Sequence, residues 1–211
     1  MAARILVLCR ANVARSPLLA ARLRLEVDAR GLDGAVEVSS AGVEAPWGQP
    51  AATGSRVVAE RWGVDLDGHH SRPWLHVEPG AHDLVLTMER THSRGVVRTV
   101  PDLAGRVFTA PELVHILADP HVVERLPDGP AGHGVGLPEQ VRSAVALADG
   151  YRPGRWQHRR GALEVADPVR QGQEVYDRLG ERFVELAAGI AAGLFGTRFE
   201  EPDADPGVTR S

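Results

Sequence analysis

The chain has 211 residues, 43% of them hydrophobic and 25% charged, the proportions of one water-soluble domain whose core needs no disulfides. Its single cysteine excludes a disulfide framework and any zinc site built on two thiolates. A net charge of −4 argues against a nucleic-acid partner held by phosphate neutralisation, and no apolar run reaches the roughly 18 residues of a membrane span. The first apolar run, residues 5–9, is too short for the core of a signal peptide, so a reducing, cytoplasmic location is expected. All 24 basic residues are arginine, which reads as a high-GC bacterial coding bias.

Taken in chain order, residues 4–8 form a continuous apolar run, the pattern of a strand buried on both faces. Pro17 suits the first turn of a helix, and residues 18–30 place Leu18, Leu19, Leu23 and Val27 at helical spacing before a stop at Gly31. A second strand is expected over 36–40, a helix over 51–62, a third strand over 83–88 and a helix over 90–97. A short fourth strand at 107–108 leads into a helix through 113–117. Strands alternating with helices imply right-handed crossovers. The expected fold is therefore α/β, a three-layer αβα sandwich around a mostly parallel four-stranded sheet.

Residues 119–162 break this rhythm. They are rich in Pro, Gly and His, with a helix expected over 138–148 and five arginines and histidines between Arg152 and Arg160. They read as a surface insertion before the last helix. The basic stretch reads as a solvated loop, with an acidic partner as the alternative. Residues 173–194 form an amphipathic helix with Val175, Leu179, Phe183, Leu186 and Ile190 on one stripe. Residues 1–198 make a single domain without internal repeats, and the tail 199–211 is expected to be disordered.

The informative segment is Cys9-Arg10-Ala11-Asn12-Val13-Ala14-Arg15-Ser16-Pro17. A lone cysteine is usually an inert core residue. This one ends a buried strand, where a parallel sheet presents its ligand-binding edge. The residues after it must turn into a helix N-terminus. Their backbone N–H groups and the helix dipole then make a phosphate-sized anion site, whose field also favours thiolate over thiol. Arg15 closes the loop with a planar fork that can grip two phosphoryl oxygens, and Ser16 brings a hydroxyl to the sulfur. As a structural cation, Arg15 would oppose the helix dipole, so its place calls for an anion.

The segment resembles the active-site loop of the low-molecular-weight protein tyrosine phosphatase family, Cys-x-Gly/Ala-Asn-x-Cys-Arg-Ser-Pro after the first strand. Ser40-Ala41-Gly42, Trp47, Gly68-His69 and Asp167-Pro168 resemble further family segments, in family order. The resemblance implies that Cys9 is the nucleophile of a cysteinyl-phosphate pathway and Asp167 the general acid and then base. It implies that Arg15, with the loop residues Arg10, Ala11, Asn12, Val13, Ala14 and Ser16, holds the phosphoryl oxygens, and that Trp47 walls the cleft. Ser40 and His69 would support Asn12. No metal or cofactor is implied. The expected partner is a phosphotyrosine-containing protein or a small aryl phosphate, with inhibition by phosphate and vanadate.

Several departures bear on substrate choice. The family's second loop cysteine is Ala14 here, Val169 stands where an aromatic usually follows the Asp-Pro pair, and Ala51-Ala52-Thr53 replaces an Asp-Pro-Arg stretch. Phosphoarginine specificity goes in the family with a threonine after the loop asparagine; Val13 resembles the tyrosine-directed members. Two alternatives stand beside the phosphatase: an arsenate reductase that borrows an external low-molecular-weight thiol, and a catalytically silent phosphate-binding adaptor.

Overall fold

In the computed structural model of the chain, the residues described are 2–126, 136–152 and 163–196. The strands are β1 (Ala3–Cys9), β2 (Val36–Gly42), β3 (Leu84–Thr87) and β4 (Val107–Thr109), all parallel, in the order β2-β1-β3-β4. The helices are α1 (Arg15–Asp28), α2 (Thr53–Glu60), α3 (Arg90–Thr99), α4 (Ala110–Leu117), α5 (Pro120–Val123), α6 (Leu137–Gly150) and α7 (Gln173–Phe195). The expected α/β sandwich with a central four-stranded sheet is what the chain forms.

Side chains alternate across the sheet, as the period of a strand requires. Ile5, Val7, Cys9, Leu84, Leu86 and Phe108 join the core that contains α1, α4 and α7, while Leu6, Leu8, Val85 and Val107 pack with Val96 of α3 and Trp74 on the other face. With both faces covered, every central strand reads as an unbroken apolar run. The chain steps from β1 outward to β2 and then returns to β3 on β1's other side. The crevice at the C-terminal ends of β1 and β3 is the switch point where such sheets bind ligands. Cys9 stands there.

Two differences from the sequence reading have clear physical causes. The apolar stripe of α7 begins at Tyr176, which is buried, whereas Val175 is only partly so. The aromatic ring sits against Gly54 of α2, where a Cβ would come within 2.4 Å of it. Gly180 and Gly193 likewise let α7 approach Val58 and Leu117, where a Cβ would meet side chains at 2.5 and 2.6 Å.

The second difference is a correction. The surface reading of 119–162 fails for α6, because Val141, Ala144, Val145 and Ala148 are buried in the same core as α7. Gln140 Nε2 donates to Leu194 O at 3.1 Å, and Arg142 pairs with Asp83 at 3.2 Å, fixing α6 beneath the sheet. Most of the basic stretch 152–160 and the tail 199–211 lie outside the described residues. Among the described residues, no helix is long and apolar enough to cross a membrane.

If α6 is core, Val141→Asp places a carboxylate where no partner can reach it, at a cost of several kcal/mol. Urea denaturation should show a loss of at least about 3 kcal/mol or outright unfolding. A surface helix would lose less than about 0.5 kcal/mol.

Candidate active site

Cys9 is buried at the end of β1, and residues 10–14 carry the chain round to α1. Asn12 adopts a left-handed conformation, φ 55°, which asparagine tolerates better than most residues. Its side chain is saturated. Nδ2 donates to Ser16 Oγ at 2.9 Å and to Ser40 Oγ at 3.0 Å, and Oδ1 accepts from Arg72 N at 3.1 Å.

The loop carbonyls are tied outward. Cys9 O accepts from Val43 N, Arg10 O from Glu44 N, Asn12 O from His69 Nε2, Val13 O from Ala52 N and Ala14 O from Ser55 Oγ, over 2.7 to 3.1 Å. Because a trans peptide sets N–H opposite C=O, this outward pinning turns the amides toward the loop's centre. Asn12 N is 3.3 Å from Cys9 Sγ. The N-cap of α1 is Ala14, which offers no side-chain acceptor, and the first turn carries no acid. The free N–H groups and the dipole of that turn are thus left for an anion.

Ser16 Oγ lies 3.1 Å from Cys9 Sγ and 3.2 Å from Ala41 O. With the amide of Asn12 supplying a donor to that oxygen, its single proton can go to either acceptor. Gly42 cannot be larger, since a Cβ would meet Arg10 O at 2.7 Å and Asn12 N at 2.9 Å. His69 is held below its ordinary pKa chiefly by burial, so a neutral ring donates Nε2–H to Asn12 O.

Arg15 is 1% exposed, although it is a charged side chain. Its Nη1 donates to Glu89 Oε1 at 2.5 Å and to Val165 O at 2.9 Å, and Nη2 donates to Asp167 Oδ2 at 2.7 Å. Asp167 reaches this point because residues 163–167 are pinned across the sheet's C-terminal edge. Val165 N donates to Met88 O, Thr109 Oγ1 to Leu163 O, and Arg90 N to the Glu164 carboxylate. Glu89 follows β3 directly. Burial would raise its pKa, but the hydrogen bond and charge of Arg15, with His92 and Thr91, outweigh it and hold the carboxyl below its ordinary value.

The structure thus brings together Cys9, Asn12, Arg15, Ser16, Ser40, His69 and Asp167. Trp47 is 61% exposed and meets His76 edge-on at 5.1 Å. Arg10 stands at the rim, paired with Glu44 at 2.8 Å. Among the described residues, no three His, Cys, Asp or Glu side chains gather as metal ligands would.

A sequence profile described as low molecular weight phosphotyrosine protein phosphatase matches residues 4–123. The chain belongs to that family. The low molecular weight protein-tyrosine-phosphatase Etp of Escherichia coli K12 is 36% identical over 104 residues, 49% of this chain and 66% of that protein. The match therefore spans just under two thirds of that relative. The protein-arginine-phosphatase of Geobacillus stearothermophilus is 34% identical over 113 residues, 53% of this chain and 71% of that protein. The crystal structure of a low molecular weight protein tyrosine phosphatase from T. tengcongensis matches with a TM-score of 0.63 and 25% identity, over 90% of this chain and 97% of its own.

Sequence reasoning missed two residues of this site. Glu89 holds Arg15, and Arg72 holds both Asn12 Oδ1 and, through Nε, Ser40 O at 3.0 Å. Glu89 carried one usable signal: it is the first acid after the third apolar strand run. Arg72 carried none.

A carboxyl whose pKa is lowered by folding contributes stability above its unfolded value, near 4.3, and loses it as pH falls through the lower folded value. Glu89→Gln should therefore be less stable than the parent at pH 7, by about 1 kcal/mol after solvent screening. The difference should shrink steadily below about pH 4 in denaturation experiments. A pH-independent difference would mean that the ion pair with Arg15 contributes nothing.

Proposed function

We propose that this chain is a cytoplasmic phosphatase that hydrolyses phosphotyrosine-type phosphomonoesters through a cysteinyl-phosphate on Cys9. The observation that carries this reading is the approach of Asp167 to Arg15, 2.7 Å, beside a loop whose Asn12 amide donates to Cys9 Sγ at 3.3 Å. Nucleophile, anion clamp and proton donor then share one crevice.

In the first step the Cys9 thiolate attacks phosphorus in line. The S–P bond forms as the P–O bond to the aryl group breaks, and the departing oxygen takes a proton from Asp167. Arg15 and the loop amides from Arg10 to Ser16 hold the equatorial oxygens while charge redistributes. An incoming phosphoryl dianion competes with Asp167 for Arg15 Nη2. In the second step Asp167 takes a proton from water, the water oxygen attacks phosphorus, and the S–P bond breaks. Inorganic phosphate leaves and the thiolate returns. The Ser16 hydroxyl can turn from Ala41 O to the sulfur as that charge reappears. Trp47 would stand at the mouth of the cleft.

One relative acts, by its name, on protein arginine phosphate, so phosphoarginine is the second reading. Val13, an apolar branched residue after Asn12, supports the tyrosine reading. The arsenate-reductase and silent-adaptor alternatives have no such support, since the relatives reported above are named as phosphatases.

Purified enzyme should hydrolyse phosphotyrosine in excess EDTA, with inhibition by vanadate and inorganic phosphate. It should do so at least about tenfold faster than phosphoarginine, a difference of some 1.4 kcal/mol in transition-state binding. Faster phosphoarginine turnover would overturn the tyrosine assignment, and dependence on added Mg²⁺ or Zn²⁺ would overturn the mechanism. Asp167→Asn should cost phosphotyrosine turnover about 10²–10⁴-fold, with a smaller loss for aryl phosphates of more acidic phenols. A uniform loss across an aryl phosphate series in single-turnover kinetics would remove Asp167 from the acid role.

A further inference from the structure

Outside the Cys9 crevice, a cavity of about 290 Å³ lies along the outer face of α3 and the free edge of β4. Its floor is apolar, formed by Val97, Ala104 and Val107. Arg90, Arg94 and Arg98 line one side. Their spacing of four residues sets them on one helix face, and α3 itself contains no acidic residue. No carboxylate among the described residues forms an ion pair with the guanidinium of Arg90 or Arg98.

Arg152 closes the other side, and it is held rigidly. Its guanidinium lies 3.8 Å from the centre of the Phe108 ring, donates to Val107 O at 2.7 Å and pairs with Asp149 at 2.9 Å. Among the described residues of the lining the one acid is Glu112, whose Oε2 accepts from Thr109 N at 3.2 Å in the capping box that starts α4. An apolar floor between guanidinium groups from separate elements has the chemistry of a site for a flat organic anion. The floor and the faces of the guanidinium planes suit a ring, and their N–H groups suit a carboxylate, sulfonate or phosphate.

We propose that this cavity is a second ligand site, separate from the catalytic loop, for a small aromatic anion. The test is a titration of the full-length, ¹⁵N-labelled protein with naphthalene-2-sulfonate, followed by amide shifts. Saturable shifts are expected across residues 90–99 and 104–107, with a Kd below about 1 mM. Sulfate alone, and the neutral naphthalene-2-methanol, should each bind there at least about tenfold more weakly, since each offers half of the recognition. Arg90→Gln with Arg98→Gln should weaken the sulfonate at least about tenfold.

Val97→Asn tests the floor on its own and should weaken the sulfonate to a similar extent. Shifts confined to residues 10–16 would overturn the proposal, as would equal binding of sulfate or of the neutral alcohol. Unchanged affinity in the arginine double variant or in Val97→Asn would do the same.

Discussion

A guanidinium that is 1% exposed is the constraint on which the rest of this site depends. Taking such a charge out of water costs several kcal/mol unless opposite charges and hydrogen bonds meet it where it is buried. Arg15 is met from three directions, by Glu89 after β3, by the carbonyl of Val165 and by Asp167. The last two belong to a segment 150 and 152 positions further along the chain. The segment must therefore be fixed before Arg15 can be buried. Its bonds to Met88, Thr109 and Arg90 at the ends of β3, β4 and the start of α3 do this. The pairing that satisfies Arg15 also delivers the carboxyl proposed as the acid, so stability and chemistry share the same contacts.

The loop shows the converse arrangement. Five of its carbonyls are satisfied by neighbours on three other segments, and the helix that follows starts without a side-chain cap at Ala14. Backbone polar groups in a buried position need partners, and here the donors have been kept for an anion while the acceptors are satisfied elsewhere. Gly42 belongs to this economy. Any Cβ there would displace Arg10 O and Asn12 N, and with them the direction of the amides.

Much of this was legible in the sequence because it is contiguous. Residues 9–17 carry the proposed nucleophile, the left-handed turn, the proposed clamp and the helix start within a single stretch, and apolar runs marked β1 and β3. What was not legible depends on where separate elements meet. Glu89 gains its meaning from β3 lying beside β1, and Arg72 from a loop passing under Asn12. The helical period of α6 could be read from Val141, Ala144, Val145 and Ala148, but its small apolar face did not say that α7 would cover it. Tyr176 rather than Val175 begins the buried stripe of α7 because Gly54 leaves room for a ring, and no single-element pattern contains that fact.

The proposed mechanism requires phosphorus to pass through sulfur. Rapid mixing of enzyme with a ³²P-labelled aryl phosphate, quenched within one turnover and followed by peptide mapping, measures this directly. The label should appear on the peptide carrying Cys9, be released by conditions that cleave S–P but spare O–P esters, and decay at the rate of phosphate release. Turnover without transient label on that peptide, or label on a serine or histidine instead, would contradict it.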